Sequence, residues 1–381
     1  MQKEYFIFIP GVAGTFEEEW GQCFAGAAEK TGEGYRLIKL NVFIDPENSE
    51  IYLRQKKFIE NFLKNRLGDQ CPAISVITQP PEDPWKISAE GMFIRAGTTE
   101  VTTKFWGSVP YVVLGPEPGK ELWAAGLGDD ELSENTRSAS VKSFEMMSGI
   151  LDQEGMSYNN LVRQWNYVGE ILKISRRYQN YQTFNEVRSE YYSKYRTAPG
   201  FPAATGIGMK IGGVIIDFCA IQDSPAVRTR PIDNPKQVNA YQYSQKVLKG
   251  LKVKGKPIKN PPQFERALFV ANGDKLTLFV SGTASIIGQD TIGKENIKEQ
   301  THITIENIKR LSEITYLGEL TGYDLSHGKC TLIRAYVKRQ EYFSAVKDIC
   351  REQFPGVPAI YTEADVCRDD LLVEIEAEYA F

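Results

Sequence analysis

Apolar and polar positions follow one order of elements through residues 122–218 of this 381-residue chain. The pattern predicts a strand over 122–126, a helix over 141–151 and a strand over 161–168. A second helix follows, with apolar positions at helical spacing between 181 and 191, and a last strand covers 214–218.

The same order returns near the C-terminus. Strands are predicted over 277–282, 331–337 and 371–377, with helices over 302–314 and 342–349 between them. A strand-helix-strand-helix-strand unit of roughly a hundred residues has the size of one small α+β domain. The sequence therefore predicts an α+β chain with two fused copies of one unit, each a mixed sheet with helices packed on one face.

The copies set the predicted domain limits. Residues 223–262 are rich in Pro, Asn, Gln and Lys and are predicted to connect them. We therefore expect an N-terminal domain over 1–222 without a complete site and a C-terminal, catalytic domain over 263–381. Residues 1–100 contain strand-like and helix-like runs, assigned only as the first part of the N-terminal domain.

Composition and charge narrow the classes of partner. Apolar residues make up 42% of the chain, the formal net charge is -4, and no long basic run is present. This balance gives no electrostatic case for binding nucleic acid or an anionic membrane. The strand-like run over 6–9 is too short for a signal peptide, so we expect none there, and no apolar run is long enough to span a bilayer. We expect a soluble, cytoplasmic protein.

Cysteine and histidine limit the possible chemistry. The six cysteines show no CxxC spacing, which argues against a disulfide framework or a zinc site. His302 and His327 are the only histidines, too few for a multi-histidine metal centre, and a histidine-dependent triad is nearly excluded. Acid-base chemistry must therefore use Glu, Asp, Tyr, Lys or Cys.

Two acids on the last strand stand out. Glu374 and Glu376 are two residues apart, so both side chains leave the same face. Aligning the last strands of the two copies pairs Glu376 with Asp217 but Glu374 with Ile215. An acid shared by both copies suits a structural role, whereas Glu374 occurs in one copy only, as a site built once on a duplicated scaffold would.

The repeat unit resembles the RidA/YjgF family over about 115 residues in each half, and the chain from about Glu121 onward resembles the chorismatases, which include the 3-hydroxybenzoate synthases. The matching stretches are VRQWNY (162–167), YQTFNEVR (181–188), PAATGIG (202–208), NPKQVNAYQY (234–243), FERA (264–267), SGTASI (281–286) and ADVCRDDLLVEIE (364–376).

This resemblance implies removal of the enolpyruvyl side chain of chorismate, with release of pyruvate and formation of 3-hydroxybenzoate or a dihydroxycyclohexadiene carboxylate. It implies neither metal nor organic cofactor. The expected partner is a small chorismate-like dicarboxylate, with no nucleic acid and no membrane. Either a monomer or a RidA-like pseudo-trimeric assembly is expected.

The resemblance also implies site residues. The catalytic acid of the family falls on Glu374, and Cys367 falls where the hydroxybenzoate-forming branch differs from the diol-forming branch. Substrate-binding residues fall on Arg266 and Tyr243. Tyr241 alternates with Tyr243 on a possible strand, so both side chains could face one pocket.

One further candidate for substrate binding is weaker, and one position departs from the pattern of the family. Arg334 is a further candidate for substrate binding, although it shares a position with Arg163 of the first copy, which favours a role in the scaffold. The aromatic positions 181, 184 and 191 are predicted to pack in the core. Gln289 follows Gly288 where the family is expected to have His, which leaves room for an altered substrate.

Two other functions remain open at this point. Imine deamination by the parent family needs an Arg shortly after the Pro that precedes the last strand, and Pro358 is followed here by Ala359-Ile360-Tyr361. A non-catalytic, RidA-like module that binds small molecules is the other alternative.

Overall fold

The structure is a computed structural model that describes residues 2–128, 135–175, 178–248 and 259–381. Its first sheet has four strands in the order β1-β4-β2-β3, with β2 and β3 parallel and the other neighbours antiparallel. The elements are β1 (Lys3–Phe8), α1 (Phe16–Gly32), β2 (Tyr35–Ile44), α2 (Ser49–Leu67), β3 (Ala73–Ile77) and β4 (Ile87–Arg95).

The second sheet has six strands in the order β11-β8-β12-β7-β6-β5, with only β11 and β8 parallel. Its elements are β5 (Val101–Trp106), β6 (Val109–Leu114), β7 (Glu121–Gly128), α3 (Thr136–Gln153), β8 (Leu161–Gly169), α4 (Asn180–Tyr195), β11 (Ala203–Met209) and β12 (Val214–Ile221), with the short pair β9 (Ile174–Ser175) and β10 (Tyr178–Gln179) before α4.

The third sheet repeats that arrangement as β13-β14-β15-β20-β18-β19, with β18 and β19 parallel. Its elements are β13 (Val227–Ile232), β14 (Ala267–Asn272), β15 (Lys275–Ala284), α5 (Ile297–Leu311), α6 (Ile314–Thr321), β18 (Lys329–Val337), α7 (Phe343–Gln353), β19 (Ala359–Glu363) and β20 (Val373–Ala380), with the short pair β16 (Ile286–Ile287) and β17 (Asp290–Thr291) after β15.

Each sheet packs its own helices on one face and meets the other sheets with the opposite face. Three apolar clusters each join one sheet to its helices, and a fourth collects side chains of all three sheets, including Tyr5, Trp165 and Tyr336. Alternate strand residues serve the two clusters, because successive side chains point to opposite faces. The predicted α+β class, with mixed sheets and helices on one face, is confirmed.

Two features differ from the predicted repeat. Residues Ala203–Met209, which the predicted repeat leaves between its second helix and its last strand, form the parallel strand β11. Glycine is needed there for close packing, because a Cβ on Gly206 would lie 2.8 Å from Cε2 of Tyr181. The predicted connection 223–262 contains β13, which belongs to the third sheet because it pairs with β14.

Residues 3–95 form a third copy of the core of the unit. Their four strands have the order and directions of β7, β12, β8 and β11 in the second sheet and of β15, β20, β18 and β19 in the third. The parallel edge strand starts in each case with Pro-Ala, as Pro72-Ala73, Pro202-Ala203 and Pro358-Ala359. We therefore propose three units: the N unit (2–95), the M unit (101–221) and the C unit (227–381).

A buried ring of charges joins the three units. Each unit contributes one acid on its antiparallel central strand and one base on the neighbouring strand, and each base contacts the acid of another unit. The pairs are Lys39 with Asp217 at 2.7 Å, Arg163 with Glu376 at 2.7 Å and Arg334 with Glu90 at 2.5 Å. All three cations also lie within about 5 Å of the ring centroid of Trp165. The ring therefore places charged side chains at the common centre of the sheets.

Candidate active site at the boundary of the M and C units

Glu374 lies on β20 between Tyr336 of β18 and Ala284 of β15. Its carboxyl group occupies the space left by Gly282, since a Cβ there would lie 2.0 Å from Oε1 of Glu374 and 3.0 Å from Cγ2 of Thr205. The β15-β20 register shifts at this point, which is consistent with a β-bulge. Because Thr205 belongs to β11, the carboxyl group lies where the M and C units meet.

The Glu374 carboxyl is held in its neutral form near pH 7. Burial and the nearby Glu376 raise its pKa to about 8, although Arg163 and Arg266 act in the opposite direction. In the described part of the chain no group donates a hydrogen bond to this carboxyl. A buried carboxyl without donors favours the proton, which makes Glu374 a candidate general acid.

Glu376, two residues further on, is ionised. Burial opposes its charge, but Arg163 and Arg334 more than offset this effect, and hydrogen bonds from Thr205 and Trp165 lower the pKa further. The indole nitrogen of Trp165 lies 2.7 Å from Oε1. One strand face therefore carries a neutral carboxyl next to a carboxylate.

Arg266 directly precedes β14, and its charge acts to lower the pKa of Glu374. Its Nη2 donates to the carbonyl oxygen of Val238 at 2.6 Å and to the hydroxyl of Tyr243 at 2.7 Å, and its guanidinium lies over the rings of Tyr243 and Phe264. Its Nε is buried and has no partner among the described residues. This nitrogen is thus a fixed donor that a ligand carboxylate could satisfy.

Arg368 also contacts Tyr243, with its guanidinium 5.1 Å from the ring centroid. Its Nη1 donates to the carbonyl oxygen of Gln289 at 2.7 Å, and the side-chain oxygen of Gln289 accepts a hydrogen bond from the amide of Ser244 at 3.1 Å. Gln289, which departs from the expected His, therefore links Arg368 to the segment that carries Tyr243.

Cys367 and Tyr181 lie beside the acid. Burial and the nearby Glu374 raise the pKa of the Cys367 thiol to about 12, so it stays protonated and is not a nucleophile near neutral pH. Burial and the nearby Cys367 likewise raise the pKa of Tyr181, which also interacts electrostatically with Glu374 and Tyr243. Helical spacing indicated only a core position for Tyr181, and the available clue was Gly206 on β11, against which its ring packs.

Four of the six predicted site residues come together: Glu374, Cys367, Arg266 and Tyr243. Tyr241 does not join them. Residues Ala240–Gln242 form a 3-10 helix instead of the possible strand, and Tyr241 packs on Phe201 and accepts a hydrogen bond from Asn239 at 3.0 Å. A helical turn removes the alternation on which the prediction for Tyr241 depended.

Arg334, predicted to bind substrate, belongs to the ring of charges instead. Its guanidinium is bonded to Glu90 and Glu376, which leaves it committed to two carboxylates. The predicted alignment of Arg334 with Arg163 was also wrong by two residues. Arg334 pairs with Glu376 across the two strands, and the residue that pairs with the equivalent acid, Asp217, is Trp165. Both arginines still reach the ring because side chains two apart share a strand face.

Two features are missing from the described ranges. In residues 2–128, 135–175, 178–248 and 259–381, no group of three or more His, Cys, Asp or Glu could hold a metal ion. Within the same residues, no helix combines the length and apolar character needed to cross a membrane.

Comparison with known proteins shows the family of the chain. Residues 118–220 match the family described as "Chorismatase FkbO/Hyg5-like, N-terminal". The chain is 32% identical over 335 residues to a chorismatase from Streptomyces rapamycinicus, covering 82% of this chain and 88% of that protein. It belongs to the chorismatase family.

Further relatives agree with that membership. A 3-hydroxybenzoate synthase from Streptomyces hygroscopicus is 35% identical to this chorismatase-family chain over 255 residues, covering 64% of this chain and 68% of that protein. A crystal structure of a chorismatase covers 99% of both chains with a TM-score of 0.67 at 18% identity, which shows the shared fold.

Proposed function

We propose that this protein cleaves the enolpyruvyl ether of chorismate and forms pyruvate and 3-hydroxybenzoate. The observation that carries the proposal is the buried Glu374 carboxyl, whose pKa of about 8 keeps the proton available at neutral pH. Family membership supports the choice of chorismate, and the relative named 3-hydroxybenzoate synthase supports the product.

Glu374 acts first, as a general acid. It donates its proton to the terminal methylene carbon of the enol ether, and the electrons of the carbon-carbon double bond form the new C–H bond. The ether carbon becomes an oxocarbenium ion, while Glu374 becomes a carboxylate beside it. Fixed charges that favour the transition state are effective in a buried site, and Arg163 and Arg266 stabilise the carboxylate that remains.

Arg266, Arg368 and Tyr243 orient the substrate. Chorismate carries two carboxylates, and the unpartnered Nε of Arg266 supplies a directed donor for one of them. Arg266 is fixed by Val238 and Tyr243, and Arg368 by Gln289, so neither has to reorganise on binding. Positioning of this kind keeps the methylene carbon within reach of the proton.

Capture of the oxocarbenium ion decides the product. If water adds, the ether carbon leaves as pyruvate and the ring keeps two hydroxyl groups, giving the diol. If the neighbouring ring hydroxyl captures the cation, it loses its proton and a cyclic ketal forms. The bond between that oxygen and the ring then breaks, the oxygen takes up a proton, and the ring becomes aromatic by losing the proton on the carbon that bears the other oxygen. The remaining hemiketal collapses to pyruvate and 3-hydroxybenzoate, whose atoms together equal those of chorismate. The aromatic route therefore consumes no water overall. We propose that Cys367 favours this route, as the resemblance implies.

The test is incubation with chorismate, with pyruvate measured by a coupled reduction and aromatic products separated by chromatography. The wild type should release pyruvate and 3-hydroxybenzoate in equal amounts. Glu374→Gln should lower kcat by about 10²–10⁴-fold, because the amide has the shape of the acid but no proton to give.

A matched substitution, Glu352→Gln, serves as the control because that side chain is exposed on α7. Full activity in Glu374→Gln would disprove the assignment of the acid. If the wild type released no pyruvate, the reaction itself would be wrong. Thermal stabilisation by chorismate without turnover would then identify a binding module.

A further inference from the structure

The N and M units enclose a cavity of about 760 Å³ at a position equivalent to the candidate active site. At the M–C boundary, Glu374 is surrounded by β11, by the end of β15 and by the segment that leads into β14. The corresponding elements at the N–M boundary are β3, the end of β7 and the turn between β5 and β6, and residues from all of them line the cavity. The fold therefore provides this boundary with its own pocket.

This cavity lacks the acid of the active site. Ile215 occupies the position on β12 that Glu374 has on β20, since each precedes by two residues the acid of its unit in the ring of charges. An isoleucine side chain can neither donate nor accept a proton. The cavity consequently has no counterpart of the buried acid that lies at the M–C boundary.

An aromatic wall lines one side. Phe105 and Trp106 are 38% and 37% exposed, a high fraction for side chains of this size. The indole of Trp106 is fixed from behind by α3, where a Cβ on Gly149 would lie 2.3 Å from the ring. A rigid indole with an open face is a platform on which a flat ring can stack.

The charged lining favours an anion. Lys56 pairs with Glu60 at 3.8 Å, and the remaining charged lining consists of Lys64 and Lys142 against Glu145, so one positive charge is in excess. Lys64 lies on the exposed side of α2, where its ammonium can reach a ligand at the mouth of the cavity. The volume is within the range of about 300–1,000 Å³ that small-molecule sites occupy.

We propose that this cavity binds a small aromatic carboxylate, with its ring on Trp106 and its carboxylate near Lys64. Binding there is separate from the reaction at Glu374 and does not depend on it, because the two clefts lie at different boundaries between units.

Calorimetric titration of the full chain with benzoate tests the proposal. Trp106→Ala and Lys64→Glu should each weaken one benzoate-binding event by about tenfold and leave kcat/KM for chorismate unchanged. Arg266→Ala, which changes the cleft at Glu374, should leave that event in place. Lys57→Glu is the matched control, since Lys57 is exposed on the same helix and does not line the cavity.

Two results would overturn the inference. One is benzoate binding that disappears in Arg266→Ala but is unchanged in Trp106→Ala and Lys64→Glu, which would place all binding at the M–C boundary. The other is equal affinity for benzamide and benzoate, which would remove the carboxylate from the proposal. Lys64→Glu keeps the test valid if Trp106→Ala fails to fold, because Lys64 is a surface residue.

Discussion

At the scale of single residues, two glutamates on one strand face differ in charge because their neighbours differ. Glu376 accepts hydrogen bonds from Arg163, Trp165 and Thr205, whereas Glu374 accepts none from the described residues. Burial alone would neutralise both carboxyls, and donors and cations restore the charge of one. The position of the arginines thus decides which glutamate keeps a proton for the reaction.

The proton on Glu374 predicts the pH dependence of the reaction. Because the acid must be protonated to act, kcat/KM should be constant below the pKa of about 8 and fall tenfold for each further pH unit. Initial rates of pyruvate release between pH 6 and 10 measure this profile. A rate that rises through pH 8 would show that the essential group works as a base.

Cys367 offers a prediction about the product rather than the rate. Its thiol stays neutral, since burial and the nearby Glu374 raise its pKa to about 12. Cys367→Ala should therefore keep kcat within about tenfold, because no thiolate chemistry is lost, and shift product from 3-hydroxybenzoate toward the diol. Chromatography of the two products gives the ratio, and an unchanged ratio would remove Cys367 from product control.

At the scale of elements, the site depends on how β15 passes β20. Gly282 leaves room for the Glu374 carboxyl, and the register shift beside it separates the two strands locally. Thr205 of β11 closes the same space from the M unit, with its Oγ1 accepting a hydrogen bond from the amide of Gly282 at 3.0 Å. Three strands from two units therefore fix one carboxyl.

Gly282→Ala should displace this carboxyl without unfolding the protein. The new methyl group would overlap Oε1 of Glu374, so we expect kcat/KM to fall by at least about 10²-fold and the free energy of unfolding by about 1–3 kcal/mol. Gly21→Ala is the control: no atom lies within 4 Å of its Cβ, and alanine favours helix α1. Equal activities of the two variants would contradict the packing argument.

The sequence predicted the long, periodic elements and missed those without period. Helices α3, α4, α5 and α7 and strands β8 and β20 have clear apolar spacing, and each overlaps its predicted range. Strand β11 is short, rich in glycine and largely buried on both faces, so its sequence has no alternation to detect. Strands β13 and β14 pair although 34 residues separate them in the chain, and a local sequence pattern cannot predict pairing over such a separation.

The candidate-site residues that lie in recognisable motifs could be predicted from the sequence. Glu374, Arg266, Tyr243 and Cys367 lie in stretches that resemble one family, and the structure brings them together. Tyr181 was missed because helical spacing does not distinguish a side chain inside one unit from one at the boundary between two. Recognising that boundary requires the packing of the units, which only the tertiary structure supplies.

At the scale of the whole molecule, the ring of charges ties the units into one body. Each of its carboxylates is buried and contacts a cation from another unit. Removing one partner of a buried pair leaves an uncompensated charge, which costs more than replacing both partners. The ring therefore makes the folding of each unit depend on the others.

Lys39→Met should lower the free energy of unfolding by about 3–5 kcal/mol, because Asp217 then lacks its cation. The double variant Lys39→Met with Asp217→Asn should recover much of this loss, since no charge remains unpaired while Ser75 can still donate to the side-chain oxygen. Urea denaturation followed by circular dichroism gives both values. A double variant as unstable as the single one would show that the ion pair itself is not the cause.

The threefold arrangement of units has a consequence for how a reaction can arise in this fold. In each unit, one residue lies two positions before the acid of the ring of charges. These residues are Ser88 before Glu90, Ile215 before Asp217, and Glu374 before Glu376. In an assembly of identical subunits, one substitution would place a buried acid at all three boundaries, and the destabilisation would be tripled. A continuous chain encodes each boundary separately. One boundary can then acquire a buried acid while the equivalent positions at the other two boundaries change independently.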